Sequence, residues 1–130
     1  MSQGERDLAR LLRGMQPVLH AEAWGFALVD EGAALDAGDF ALIREAAGLT
    51  LIAPIDRLAA LGRAAVPMAR ISLAIHSALE AVGLTAAIAS ALAERGISAN
   101  VVAGYHHDHI FLPWDRRDEA LAVLLALARA

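Results

Sequence analysis

Apolar residues along the first half of the chain recur with the spacing of short helices and short strands. Leucines at i, i+3 and i+4 predict a helix over residues 5–13. Residues 15–20 predict a strand that Pro17 restricts to a sheet edge, because proline has no N–H to donate. Further strands are predicted at 24–30, 40–46 and 49–53, before a short helix at 54–61.

The second half has a clearer pattern. Alternate apolar residues predict a strand over residues 68–76, with Ser72 on its polar face. An apolar position every four residues from Leu84 predicts an amphipathic helix, which Gly96 ends. The remaining predicted elements are strands at 100–105 and 109–112 and a last helix whose buried face carries Leu121, Leu124 and Leu125.

The order of these elements indicates a fold class. The second half, strand–helix–strand–strand–helix, lacks only the fourth strand of a ferredoxin-like βαββαβ unit. The first half fits a degenerate copy of that unit without its first helix. We therefore predict an α+β protein of two tandem units, 1–65 and 66–130. Its missing strands are expected to be exchanged between the units, with residues 15–20 and 68–76 as donors.

Composition excludes several classes of function. The chain has 130 residues, no cysteine and a formal net charge of −4, so it predicts no disulfide framework, no thiolate metal site and no electrostatic attraction to nucleic acid. It shows no signal peptide and no apolar run of about 18 residues, so we expect a cytoplasmic protein without membrane attachment. No nucleotide-binding loop or nucleophile elbow is present, and we expect neither a cofactor nor catalysis.

One stretch of the second half carries a family resemblance. A helix opens at Gly83-Leu84-Thr85, and a Gly96-Ile97-Ser98-Ala99-Asn100 strand entry and the run Val102-Ala103-Gly104-Tyr105-His106-His107-Asp108-His109-Ile110-Phe111 follow it. This pattern resembles an ACT domain and, more narrowly, a bacterial family of tandem ACT-like proteins of unknown role. The resemblance implies a sensor of small molecules, often amino acids, and not a catalyst. It also implies a homodimer or larger assembly, since an open sheet face is usually covered by another unit.

Topology predicts where such a sensor site would lie. In a βαββαβ unit the loop after the first strand and the hairpin between the second and third strands emerge at the same end of the sheet. The first and third strands are neighbours, so we expect His76 and His109 to face each other. In ACT domains the first of these loops contributes to effector binding. The candidate ligand-binding residues are His76, Ser77, Gly83, Leu84, Asn100, Tyr105, His107, Asp108 and His109.

Three interpretations of this histidine-rich cluster stay open. In the first, the cluster is a tight hairpin in which Asp108 makes the turn and no ligand binds. In the second, backbone N–H groups near Gly83 bind a carboxylate while His and Asp side chains recognise the rest of an amino acid. In the third, His76, His107 and His109 chelate zinc or a similar ion, in a metal-binding protein or a metal-dependent enzyme. A module that only oligomerises is a further alternative.

Overall fold

The computed structural model describes residues 7–75 and 82–129. The helices are α1 (Leu8–Arg13), α2 (Ile55–Ala60), α3 (Leu84–Ala93) and α4 (Arg117–Arg129), the last preceded by a 3₁₀ turn at Trp114–Arg116. The strands are β1 (Pro17–Leu19), β2 (Trp24–Val29), β3 (Ala41–Glu45), β4 (Gly48–Pro54), β5 (Met68–Leu73), β6 (Asn100–Ala103) and β7 (Asp108–Pro113).

Chain contacts divide the molecule into two compact units. Unit 1 comprises the described residues up to His20 together with those from Ala69 onwards, and unit 2 is Ala21–Met68. These units differ from the halves 1–65 and 66–130, because the N-terminal segment packs with the second half of the chain. The two halves describe the order of the repeats along the sequence, and as domain boundaries they stay a prediction.

Unit 1 contains a four-stranded sheet in the order β1-β5-β7-β6. Strand β1 pairs antiparallel with β5, with Pro17 opposite Leu73 and Leu19 opposite Ile71. The N-terminal strand therefore takes the position of the fourth strand in a ferredoxin-like unit, and the predicted exchange of residues 15–20 is confirmed. β1 lies at the edge of this sheet, as a proline at its first residue requires.

Alternation along β5 and β7 separates the two faces of this sheet. Ile71, Leu73, Ile110 and Leu112 are fully or almost fully buried in one core with the apolar residues of α1, α3 and α4. Burying a side chain of this size contributes about 1.5–3 kcal/mol, so this face holds most of the stability of unit 1. Phe111 is buried too but does not belong to that core, as expected for the opposite face.

The last helix differs from its prediction in one detail. Ala120 and Leu124 are fully buried, whereas Leu125 remains 40% exposed. The pattern of three leucines overstated the width of the buried face. The fully buried positions, Ala120 and Leu124, are four residues apart because residues i and i+4 share a face of a helix, and the predicted Leu121 packs against the same core while partly buried.

Unit 2 repeats part of the same architecture, with strand order β3-β4-β2 and helix α2 on one face. Its core contains Ala27, Val29, Leu51 and Ala53 from the strands and Leu58 from α2. The predicted strands and the helix of the first half are thus confirmed. The second predicted exchange was that of residues 68–76. Within unit 2 the structure gives one residue pair for it, with Met68 opposite Trp24 in an antiparallel register.

The connection from β2 to β3 in unit 2 contains no helix and is held by an ion pair. The Asp39 carboxylate, 1% exposed, accepts hydrogen bonds from Arg57 Nε (3.2 Å) and from the backbone N–H of Asp36 (2.8 Å). Burial alone raises the pKa of Asp39, but these hydrogen bonds and the charge of Arg57 bring that pKa below its ordinary value. The pair therefore ties the connection to α2.

Candidate functional site

The β6–β7 hairpin presents most of the predicted site residues. Ala103 pairs with Asp108, and the Gly104 N–H donates to the His107 carbonyl (2.9 Å), which closes the turn. A Cβ at Gly104 would lie 2.9 Å from that carbonyl oxygen, closer than a side chain normally comes to backbone. Gly104 therefore permits the tight turn. Asp108 does not make the turn, as one interpretation proposed, because it is the first residue of β7.

The face of the unit 1 sheet opposite the helices carries a chain of hydrogen bonds that joins β5, β7 and the residue after β1. Ser72 Oγ on β5 lies 2.9 Å from His109 Nδ1 on β7. The same oxygen lies 2.9 Å from Nε2 of His20, the residue that follows β1. All three side chains are half-buried. They lie on this face because Ile71, Leu73 and Ile110, their neighbours along the strands, point into the helix-covered core.

His109 is the most strongly perturbed imidazole of this face. Its pKa falls from 6.5 to about 4, and burial, which disfavours the charged ring, is the largest cause. Positive charge on Arg70, His107 and His20 lowers the pKa further. His109 is therefore neutral at physiological pH, and each of its ring nitrogens is either a donor or an acceptor.

The rest of the hairpin is more exposed. Tyr105 is 55% exposed, and its ring meets that of His106 edge-on at 5.0 Å between centroids. His107 is exposed at the end of the turn, next to the half-buried Asp108. Burial raises the pKa of the Asp108 carboxyl, and the charge of His107 acts against this increase. The hairpin thus offers imidazoles, a phenol and one carboxyl group.

The other predicted residues have varied positions. His76 and Ser77 lie outside the described residues, so their predicted approach to His109 stays a prediction. Gly83 has a left-handed backbone (φ 101°) before α3, and a Cβ there would meet Leu8 at 3.2 Å. Leu84 is 3% exposed and belongs to the core of unit 1. On β6, the Asn100 side-chain amide donates to the Phe111 carbonyl (3.3 Å).

Sequence reasoning missed the partners of His109. Ser72 was predicted on the polar face of its strand, and His20 ended a predicted edge strand, but neither was a candidate site residue. The predicted alternation and the exchange of residues 15–20 were a partial signal, because they assigned each residue to a strand but did not say which side chains meet. The pairing of β1 with β5 was needed to bring the two together.

Two classes of site find little support in the described part of the chain. Among residues 7–75 and 82–129, no group of three or more His, Asp or Glu side chains is placed to hold a metal ion. Within the same residues, none of the helices combines the length and the apolarity that crossing a bilayer requires.

Unit 2 contains a pocket that the sequence did not predict. Its volume is about 400 Å³, and Val29, Ala33 and Leu61 are among its lining residues. At its surface Arg63 pairs with Asp30, whose side chain is 91% exposed, at 3.0 Å. The pocket borders the helix-free connection after β2, where unit 1 has α3 in the corresponding position.

Comparison with known proteins gives two matches to ACT-domain family models, at residues 3–70 and 66–126. A Vibrio cholerae protein of unknown function, described as a possible transport protein, is 42% identical, with a TM-score of 0.80 over 93% of this chain and 95% of that chain. An Agrobacterium tumefaciens protein has a TM-score of 0.67 at 19% identity, covering 82% of this chain and 84% of its own.

The ligand-free regulatory subunit of aspartate kinase from Thermus thermophilus has a TM-score of 0.61 at 12% identity, over 88% of this chain and 97% of that subunit. At such low identities the likenesses to the Agrobacterium and Thermus proteins concern the fold alone. No curated protein sequence matches the chain.

Proposed function

This chain belongs to the ACT-domain family, and on that basis we propose that it is a non-enzymatic regulatory protein that binds a small molecule, an amino acid or a close analogue. The likeness in fold to a regulatory subunit of aspartate kinase is in line with this proposal. The proposed ligand site lies at the hairpin end of unit 1, and its residues are His76, Ser77, Gly83, Leu84, Asn100, Tyr105, His107, Asp108 and His109.

The observation that carries the proposal is the presence of a carboxyl group and a neutral imidazole on one hairpin, at consecutive residues whose side chains leave β7 on opposite faces. Asp108 is a half-buried carboxyl group, suited to an ammonium group. Its neighbour His109 is a neutral imidazole in a positively charged setting, which suits a carboxylate. An α-amino acid carries an ammonium group and a carboxylate, and this end of the hairpin offers a group suited to each.

The test is a screen of the twenty amino acids and common nucleotides by thermal unfolding of the full chain. A ligand that binds only the folded protein raises its unfolding free energy, by about 2.7 kcal/mol at a hundred times Kd. We expect one or a few amino acids to raise the Tm, and calorimetric titration to give a stoichiometry for each.

The variant Asp108→Asn is expected to abolish that shift, because it keeps the shape of the side chain and removes the charge that pairs with the ammonium group. Its matched control is Asp115→Asn, an exposed carboxylate elsewhere in unit 1. A Gly83→Leu variant would test the helix start but also strains a left-handed backbone, so Asp108 gives the cleaner result.

Other outcomes of the screen would point to the remaining interpretations. Zinc or a related metal that copurifies with untagged protein, and whose removal lowers the Tm, would support the metal site. A Tm that depends only on protein concentration would indicate an oligomerisation module. We also propose a cytoplasmic location. We further propose a homodimeric or larger assembly, whose size sedimentation analysis of the untagged chain measures directly.

A further inference from the structure

The hydroxyl of Ser72 joins two imidazoles but has only one proton to donate. Within the described part of the chain its hydrogen-bond partners are His20 Nε2 and His109 Nδ1, both at 2.9 Å. If the hydroxyl proton points to one ring nitrogen, the other ring must donate its own N–H to the Ser72 oxygen. The protonation of the two rings is therefore coupled, although they belong to segments far apart in sequence.

This coupling allows two arrangements. In the first, His20 Nε2–H donates to Ser72, and the Ser72 hydroxyl donates to His109 Nδ1. The proton of a neutral His109 then resides on Nε2. In the second, His109 Nδ1–H donates to Ser72, whose hydroxyl donates to His20 Nε2, and Nε2 of His109 carries a lone pair.

The other nitrogen of His109 lies toward the hairpin. His109 Nε2 is 3.6 Å from the position that a Cβ of Gly104 would occupy, next to the turn. The choice between the two arrangements therefore decides whether this end of the ring offers a donor or an acceptor beside the proposed ligand site.

We propose that His20, acting through Ser72, sets the tautomer of His109 and so selects the ligand group that the hairpin accepts at His109 Nε2. His20 and Ser72 are thus positioning residues of the proposed site, and their effect on ligand choice rests on the proposed function. A protonated His20 must donate from Nε2, which enforces the first arrangement and presents an N–H to a ligand carboxylate.

The surroundings of the ring keep this choice relevant over a wide pH range. The charged or titratable groups that act on His109 are Arg70 on β5, His107 beside the turn and His20 after β1, and its cross-strand partner on β6 is the apolar Val102. Because these charges disfavour a second proton on the ring, His109 responds to its neighbours by changing tautomer before it becomes charged.

The experiment compares His20→Lys with His20→Glu in the ligand-free protein. The lysine ammonium group can only donate to the Ser72 oxygen, so it enforces the Nε2–H tautomer of His109. The glutamate carboxylate accepts from the Ser72 hydroxyl and enforces the Nδ1–H tautomer. Imidazole ¹⁵N chemical shifts of His109 at neutral pH report the tautomer directly, which a purely structural role of His20 would not change. The same tautomer in both variants would overturn the proposal.

Ser72 variants provide the control for charge. Ser72→Ala removes the connecting hydroxyl, so it should bring the His109 spectra of the two His20 variants together, while Ser72→Thr, which keeps a hydroxyl, should restore the difference. If a His20 variant does not fold, the native chain and Ser72→Ala are compared at neutral pH. The ratio of the two His109 tautomers should differ between them, and the same ratio in both would overturn the coupling.

The consequence for binding is measured separately, with acetate as the carboxylate probe. We expect acetate to bind His20→Lys more tightly than His20→Glu, and the ratio of the two affinities to fall at least several-fold when Ser72→Ala is added to both. A ratio that Ser72→Ala leaves unchanged would reflect charge alone and contradict the selection. Since the tautomers are read without any ligand, failure of the amino-acid screen leaves the coupling measurable, and the two proposals fail in distinguishable ways.

Discussion

Acidification should destabilise this protein through His109 before its carboxylates are protonated. The native pKa of His109 is about 4, against an ordinary value of 6.5 that applies when the chain is unfolded. Above pH 6.5 the ring is neutral in both states and has no effect on the pH dependence. Between 6.5 and about 4 the unfolded chain binds a proton that the folded chain does not, so the free energy of unfolding falls as the pH falls.

The size of the effect follows from the two pKa values. They differ by about 2.5, and one pKa unit corresponds to about 1.36 kcal/mol, which sets an upper limit of about 3 kcal/mol on the loss of unfolding free energy between pH 7 and pH 4. Because the ring is only half-buried, solvent screening reduces the expected loss to roughly 1–2 kcal/mol, against the 5–15 kcal/mol typical of a folded domain. Most of the loss falls between pH 6 and 4, where the unfolded ring is charged and the native ring is not.

The assay is urea denaturation of the native chain and of His109→Gln at intervals from pH 7 to 4. The unfolding free energy of the native chain should fall by roughly 1–2 kcal/mol more than that of the variant over this range, because the variant lacks the titrating ring. Val102→Ala, at the cross-strand partner of His109, is the control. It alters packing at the same place, so its cost should be the same at every pH. Parallel curves for the native chain and His109→Gln would refute the reasoning.

Two further predictions concern the ion pair and the turn. Asp39→Asn should lower the unfolding free energy, measured by denaturation, by about 1.5–3 kcal/mol, because the Asp39 carboxylate is buried against Arg57. Asp36→Asn is the control. Its carboxylate is 70% exposed beside the same guanidinium, so this change should cost only about 0.5 kcal/mol. Equal costs would contradict the role given to burial. Gly104→Ala should lower the unfolding free energy by about 1–3 kcal/mol and shift the NMR resonances of His109, because the added Cβ meets the backbone. Gly32→Ala is the control, and it should leave the Tm almost unchanged because there is open space around its Cβ. A hairpin that accepts alanine at residue 104 without change would show that the turn does not need its glycine.

The sequence alone was sufficient to predict the helices and strands, and to predict which residues lie on each face of the unit 1 sheet. Ser72 was predicted on the polar face of its strand, and its neighbours Ile71 and Leu73 do lie in the core beneath the helices. Side-chain direction alternates at every residue of a strand, so a local pattern decides which face each residue occupies. The same local reasoning overstated the burial of Leu125 and placed Asp108 in the turn, because both depend on how neighbouring elements pack and pair.

The candidate site divides in the same way. The hairpin with Tyr105, His107 and His109 could be predicted, because a turn between adjacent strands is a short-range feature of the chain. The partners of His109 could not, since Ser72 is 37 residues away from it and His20 is 52 residues from Ser72. Sequence pattern alone determined which side chains are polar and which way they point. The pairing of strands distant in sequence decided which side chains are hydrogen-bonded to each other, because a hydrogen bond depends on separation in space and not along the chain.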